Sequence, residues 1–243
     1  MKIRLYKKVI TILISIVVTL GIVEIVLRIF VIKPWENLKV EDPLINKRDP
    51  ILGWKAKEGT YNFLPMHKSG NNFSLTIKQN GERENGNKNI KTKNEILLVG
   101  GSFTQGWGVN DNETFSFKLQ KKYKDYKINN FGQAGYGSIQ SYLLLKEQIS
   151  KAMSPKLIIY GIIQHHEYRN IAHEGWLRMM SQYSSRGSVY TPYGSLNKEN
   201  NLIIHSPIGY STFPLREKFS VITLIEKVYN KLQSKKRVYK RLE

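Results

Sequence analysis

Ile96-Leu-Leu-Val-Gly-Gly-Ser102-Phe-Thr-Gln-Gly106-Trp-Gly108 decides how the rest of the chain is read. An apolar run of strand length ends in two glycines and a serine, and the helix-start signal Asp111-Asn112-Glu113 follows just before Thr114. Paired glycines let the backbone turn sharply, so a serine hydroxyl can project from the carboxyl end of a strand. That edge is where open α/β sheets hold ligands. The same residues also fit an ordinary glycine-rich strand-to-helix turn, and the sequence around them has to separate the two.

Downstream, the pattern alternates. Strand Ile96–Val99 leads to a helix near Thr114–Tyr123 and a short strand near Tyr126–Asn130. Ser138 is placed to cap a helix running to about Met153, with Ile139, Tyr142, Leu143 and Ile149 on one face. Pro155 ends it, and Leu157-Ile-Ile-Tyr-Gly-Ile-Ile163 reads as a buried strand. Strands alternating with helices of this length predict β-α-β units and a parallel sheet. Asn170 to Leu215 is less regular, with Val189–Tyr190 and Leu202–His205 forming a hairpin inserted at the active edge of the sheet. Phe219 to Leu232 is an amphipathic helix whose stripe is Val221, Leu224, Ile225, Val228, Tyr229 and Leu232. Upstream, Tyr61–Leu64 and Phe73–Lys78 read as short strands, the second closed by Asn80-Gly81. Asn85 to Asn94 is a loop, and Lys33 to Glu58, punctuated by Pro34, Pro43 and Pro50, is a linker and lead-in.

At 243 residues with 41% hydrophobic content, the chain can hold an anchor and one sizeable packed domain. Cysteine is absent, which removes disulfides, thiolate metal sites and cysteine nucleophiles together. Val9 to Ile32 is long and apolar enough to cross a hydrocarbon core as a helix, interrupted by Glu24 and Arg28, which share a face and can pair. Lys2, Arg4, Lys7 and Lys8 precede it, so the positive-inside rule places the amino terminus in the cytoplasm and the rest outside, as a single-pass membrane protein. No small-x-small cleavage site follows, which favours an uncleaved anchor over a signal peptide. The net charge of +19 is concentrated partly in the tail Ser234-Lys-Lys-Arg-Val-Tyr-Lys-Arg241. No nucleic-acid motif accompanies it. Attraction to an anionic envelope surface and a lysine-rich composition without a partner both account for the charge.

Three segments fall at the carboxyl ends of the predicted strands: Gly101-Ser102, Asn130-Phe-Gly132-Gln-Ala-Gly135-Tyr-Gly137, and Gly161-Ile-Ile-Gln164-His165-His166-Glu167-Tyr-Arg169-Asn170. Parallel strands bring these ends together. Acyl transfer needs a nucleophile, backbone N–H donors for the oxyanion and a proton acceptor, and all three are available there. His165, His166 and His173, with Glu167 and Glu174, raise the question of a metal, but the run from His166 reaches Asn170 where the zinc-protease spacing needs histidine. His165 or His166 can serve as a substitute base, as pocket lining or as an oxyanion donor. His67 and His205 are expected at the surface. Neither phosphate-binding glycine signature is present.

Here the chain resembles the SGNH (GDSL-like) hydrolase superfamily. Gly-Gly-Ser102-Phe-Thr-Gln-Gly-Trp-Gly is similar to its first block, with Gly101 where the family usually has Asp, and Asn130-x-Gly-x-x-Gly135 is similar to its second. Asp49-Pro-Ile-Leu-Gly-Trp54 and Asn80-Gly-Glu-Arg83 resemble the membrane-anchored envelope members, and the likeness runs from about Asp49 to Leu232. The resemblance implies a flavodoxin-like three-layer α/β fold with a parallel sheet, preceded by one transmembrane helix. It divides the chain into residues 1–33 (cytoplasmic start and anchor), 34–94 (linker and small β segment) and 95–243 (the α/β domain). It implies Ser102 as nucleophile, the Ser102 and Gly135 N–H groups as oxyanion donors, and no cofactor. Gln164 stands where the third block supplies an Asn side chain. The family's Asp-x-x-His base motif has no counterpart: of Asp42, Asp49, Asp111 and Asp125, none has histidine three residues later. The domain therefore reads as cut short at its carboxyl end. Two functions stay open: a serine esterase or O-acyltransferase acting on acyl, for example acetyl, esters of an envelope glycan or lipid, or a catalytically incompetent accessory domain that binds glycan or a partner.

Overall fold

The computed structural model describes residues 2–30, 32–37, 43–65, 70–151, 153–182 and 189–239. His67 and the last residues of the basic tail, Lys240 and Arg241, lie outside the described residues. Helix α1 (Lys2–Ile29) opens the chain; its stretch Tyr6–Ile29 is long and apolar enough to cross a membrane, and none of its apolar window is buried. At about 1.5 Å per residue, its 24 residues reach roughly 36 Å, more than the ~30 Å of a hydrocarbon core.

Two antiparallel pairs follow, β1 (Asn46–Asp49) with β2 (Gly53–Ala56) and β3 (Gly59–Phe63) with β4 (Phe73–Ile77). The first pair lies where the prolines suggested a linker. Asp49 makes its turn, its Oδ1 accepting the Ile51 and Leu52 N–H groups at 2.9 and 2.8 Å. The β3–β4 pair matches the predicted strands closely.

The centre is a parallel three-stranded sheet. Strand β5 (Glu95–Gly100) lies between β6 (Lys127–Asn130) and β7 (Leu157–Gly161), in the order β6-β5-β7. Between β5 and β6 come α2 (Ser102–Gln105), a 3-10 turn (Asp111–Glu113) and α3 (Phe115–Lys122), which Thr114 caps by accepting the Phe117 N–H at 3.2 Å. Helix α4 (Ser138–Ser150) joins β6 to β7; α5 (His166–Asn170) and α6 (Glu174–Gln182) follow. The hairpin β8 (Tyr190–Leu196) and β9 (Leu202–Gly209) is longer than the sequence pattern indicated, and α7 (Ser220–Tyr239) ends the described chain. The architecture is thus mixed α/β around a parallel sheet, with one apolar amino-terminal helix.

The lead-in segment is part of the core. Leu52 and Trp54 pack with Leu97, Val99, Phe131, Tyr136 and Leu144, and Gln140 Nε2 donates to the Leu52 carbonyl at 2.8 Å. A second cluster, Ile45, Phe63, Phe73, Leu75 and Ile77, fills the β-rich end against Trp107.

Three local expectations need correction here. Strand β7 is not buried: Leu157, Ile158 and Tyr160 are exposed, and no described strand pairs with its outer edge. An apolar run predicts a strand but not how many neighbours it has. Helix α4 buries Ile139, Gln140, Ser141, Leu144 and Gln148, while Tyr142 and Ile149 face outward. Its inward face is partly polar because Gln140 is spent on the lead-in backbone, so apolar periodicity misplaces it. Ser138 does not cap this helix; it is the first helical residue and its hydroxyl accepts from Tyr160. The Asn85–Asn94 segment is a loop as expected, and its Asn85 and Asn87 are buried and both donate to the Ile128 carbonyl on β6.

Arg83 joins these parts. Its backbone pairs with Ile77 on one side and Asn130 on the other, so one residue stitches β4 to β6. Its fully buried guanidinium donates to Asp111 Oδ1 at 2.8 Å and to the carbonyls of Gln105, Gly106, Ser74 and Val109. Removing one member of such a buried pair strands the others, at a cost of about 3–5 kcal/mol. Arg83→Met is therefore expected to lower the melting temperature of the detergent-solubilised chain by about 10 °C or more, followed by tryptophan fluorescence. A shift of a degree or two would mean that the guanidinium is not a structural hub.

Candidate functional site

Ser102 stands half-buried at the carboxyl end of the central strand β5, as the first residue of α2. Asn130 fixes what surrounds it. Its Nδ2 donates to the Thr104 carbonyl at 2.8 Å and to Ser116 Oγ at 2.9 Å, and its Oδ1 accepts the Gly132 N–H at 3.0 Å. Gln105 Oε1 accepts the Ala134 N–H at 3.0 Å. Gly132 is required by close approach: a Cβ there would lie 2.4 Å from the Gln105 nitrogen. Gly135 has φ +84, a left-handed backbone, and a Cβ there would meet Trp54 at 3.0 Å. The β6 loop is thus clamped against the serine turn. Neither the Ser102 N–H nor the Gly135 N–H donates to a protein acceptor among the described residues.

The third segment enters through α5, which sends its two histidines different ways. His165 and Gln164 are exposed, and neither side chain is hydrogen-bonded among the described residues. His166 is 1% exposed. Its Nδ1 lies 2.6 Å from the Tyr160 hydroxyl, which donates to Ser138 Oγ at 2.6 Å. With the tyrosine proton given to Ser138, Nδ1–H donates to the tyrosine oxygen and Nε2 keeps its lone pair. Nε2 has no partner, and it sits 3.2 Å from the point a Cβ on Gly101 would occupy. Arg169 Nη1 is also 3.2 Å from that point and Tyr136 O is 3.3 Å from it. The Gly101–Ser102 turn, the backbone beside Gly135 and the His166 ring therefore converge. No hydrogen bond joins Ser102 Oγ to a histidine among the described residues.

Gly101, where the resembled family carries Asp, leaves room for a cation. Arg169 Nη1 donates to the Tyr136 carbonyl at 2.8 Å, and its guanidinium lies 4.6 Å over the Trp176 ring. Burial, and then the Arg169 charge, lower the His166 pKa to about 4, so the ring is neutral at pH 7. Burial raises the Tyr160 pKa, which keeps that hydroxyl protonated. Sequence reading missed Tyr160, Ser138 and Arg169 as partners. Arg169 carried a usable signal, since positions three apart on a helix share a face.

His173 and His205 are engaged elsewhere. His173 Nδ1 accepts the Gly175 N–H at 3.1 Å, and His205 Nε2 meets Ser195 Oγ at 2.8 Å while stacking on Tyr193, half-buried rather than at the surface. No group of three His, Asp or Glu side chains suited to a metal ion occurs among the described residues. No family model, curated protein or solved structure matches the chain.

The depressed His166 pKa has a thermodynamic signature. Above its ordinary value of 6.5 the ring is neutral folded and unfolded, so it adds no pH dependence. Between 6.5 and about 4 the unfolded chain takes up a proton that the folded one refuses. Stability should fall there by up to about 1.4 kcal/mol per pH unit. His166→Gln should remove that component from urea-unfolding curves recorded through this window. An identical slope in both proteins would show that His166 titrates normally.

Proposed function

We propose that the chain carries an SGNH-like serine acyl-transfer site, an esterase or O-acyltransferase for acyl esters of an envelope glycan or lipid. The observation that supports it most is the convergence, at the carboxyl end of β5, of the Gly101–Ser102 turn, the Tyr136 backbone next to Gly135 and a buried imidazole whose Nε2 has no hydrogen-bond partner among the described residues. On this reading Ser102 Oγ attacks the ester carbonyl and the Ser102 and Gly135 N–H groups hold the oxyanion. His166 Nε2 takes the serine proton and returns it to the leaving alkoxide as the acyl C–O bond breaks. Water, or a sugar hydroxyl, then removes the acyl group from Ser102. The flavodoxin-like three-layer sheet belongs to the same reading. A base with a pKa of about 4 accepts protons poorly, so slow turnover is expected.

The absence of a hydrogen bond from Ser102 to any described histidine favours a second reading, a domain that binds acyl ligands without turning them over. A fluorophosphonate probe separates the two. Under the first, Ser102 is labelled, Ser102→Ala abolishes the label, and His166→Gln slows it roughly 10²–10⁴-fold. Absence of any Ser102 adduct, or a label that maps to Ser138, would leave the binding reading.

We further propose that α1 is an uncleaved anchor with its basic amino terminus in the cytoplasm and the domain outside. An alkaline phosphatase fusion after Trp54 should be active. A β-galactosidase fusion active at the same position would reverse the topology.

A further inference from the structure

Helix α7 is turned inside out. Val221, Leu224, Ile225, Val228, Tyr229 and Leu232 form its apolar stripe, yet Ile225, Val228, Tyr229 and Leu232 are 49, 49, 40 and 54% exposed. Ser220, Thr223, Glu226, Asn230 and Ser234 are the buried residues. At about 100° per residue, the two sets lie on opposite sides of the helix.

The inward polar face is fixed by hydrogen bonds. Glu226 accepts from the Phe213 N–H at 2.7 Å and from Arg216 Nη1 at 3.3 Å. Asn230 accepts the Ser211 N–H and donates to the Ser211 carbonyl, both at 2.9 Å. Ser234 Oγ accepts the Glu174 N–H at 3.3 Å, and Arg237 donates to the Ala172 carbonyl at 3.0 Å. The helix cannot roll to hide its stripe without breaking these bonds.

Its amino-terminal end is held by the apolar helix. Glu24 of α1 accepts the Ser220 and Val221 N–H groups at 2.8 and 3.0 Å, and Arg28, paired with Glu24 at 2.7 Å, donates to the Lys218 carbonyl at 2.8 Å. Trp35, just beyond α1, donates its backbone N–H to the Arg216 carbonyl at 2.9 Å, and the Arg216 guanidinium lies 4.1 Å over its ring. Glu24 is about 8 Å along the helix axis from Ile29.

We propose that the outward stripe of α7 seats in the interface of an anionic phospholipid bilayer, so that the domain lies against the membrane its anchor crosses. The proposal rests on reading α1 as a membrane span. With α1 across the bilayer, the Glu24 clamp puts the first turn of α7 at the boundary between acyl chains and headgroups, the depth at which interfacial amphipathic helices lie. Exposed Leu215 and Phe219 extend the apolar surface at that end. Lys231 borders the stripe, and Lys235 and Lys236 continue its face one turn beyond Leu232, all exposed, as binding to anionic headgroups requires. A second copy of the chain, or another protein surface, is the competing occupant.

The cysteine-free chain allows a direct test. The full chain is reconstituted in vesicles of phosphatidylcholine with about one-quarter phosphatidylglycerol. It carries a nitrobenzoxadiazole fluorophore on Val228→Cys, on Lys227→Cys or on Val17→Cys. Val228 and Lys227 are exposed, so neither change disturbs packing. With doxyl-labelled lipid, the Val228 label should be blue-shifted and lose at least about half its intensity, and the Lys227 label much less. Quenching at Val228 should weaken when phosphatidylglycerol is left out. Equal behaviour at Val228 and Lys227 would show the stripe in water and overturn the proposal. A shielded Val228 label that doxyl lipid does not reach would assign the stripe to a protein surface and overturn it too. The Val17 label reports the anchor. If it is unquenched, the membrane-span reading fails and takes this inference with it; if it is quenched while Val228 is not, this inference alone fails.

Discussion

One buried guanidinium organises the serine turn. The backbone of Arg83 bridges the antiparallel β3–β4 pair and the parallel sheet, and its side chain reaches the carbonyls that end α2 and the loop after it. Asp111 balances the charge, and its Oδ1 also accepts the Thr76 N–H at 3.0 Å, which returns the network to β4. A guanidinium suits this place because its donors lie in a rigid fork that several carbonyls can share. Burial lowers the Arg83 pKa, and the Asp111 charge opposes that. The segment that follows β4 therefore helps to hold the turn on which Ser102 stands.

Much of the molecule uses the same kind of support, polar side chains committed to backbone. Asn130 ties α2, α3 and the β6 loop together, Gln120 accepts the Ile128 N–H at 2.8 Å and donates to the Tyr126 carbonyl at 2.8 Å, and Gln140 holds the lead-in turn. All three are nearly inaccessible to solvent. Each replaces a backbone partner that a longer strand or helix would have supplied, which is needed where short elements meet.

That construction sets what the sequence reveals. β5, β6, α3 and β3–β4 are legible because apolar run length, the Thr114 cap and the Asn80-Gly81 turn are local signals. The edge position of β7 is not, because an apolar run does not say how many strands flank it. The inward face of α4 and the inverted burial of α7 are not either, because each depends on a polar contact distant in sequence: Leu52 for Gln140, Ser211 for Asn230, Glu174 for Ser234. At the candidate site, the turns that carry Ser102 and Gly135 stand out by their glycines, while the roles expected of those two residues come from the family resemblance. The distinction between His165 and His166 could not be read, since it is made by where α5 begins and by Tyr160 on the neighbouring strand.

The helix clamped by Glu24 also positions the site. From Ser220 to Arg237, α7 spans about 26 Å and ends on the Ala172 carbonyl, three residues beyond Arg169 in the segment that carries His166. The apolar helix α1 and the candidate site are therefore joined by a strut of regular structure as well as by the lead-in chain. A flexible tether would let the site explore a wide shell above the membrane, whereas a strut fixes its distance. On the proposed seating of the α7 stripe in the bilayer, the strut lies along the surface and holds the α5 segment, with His166 and Arg169, against that side of the domain. On the proposed acyl-transfer reading, a lipid-linked ester or the membrane-proximal part of a glycan would then be presented to Ser102 without a long search.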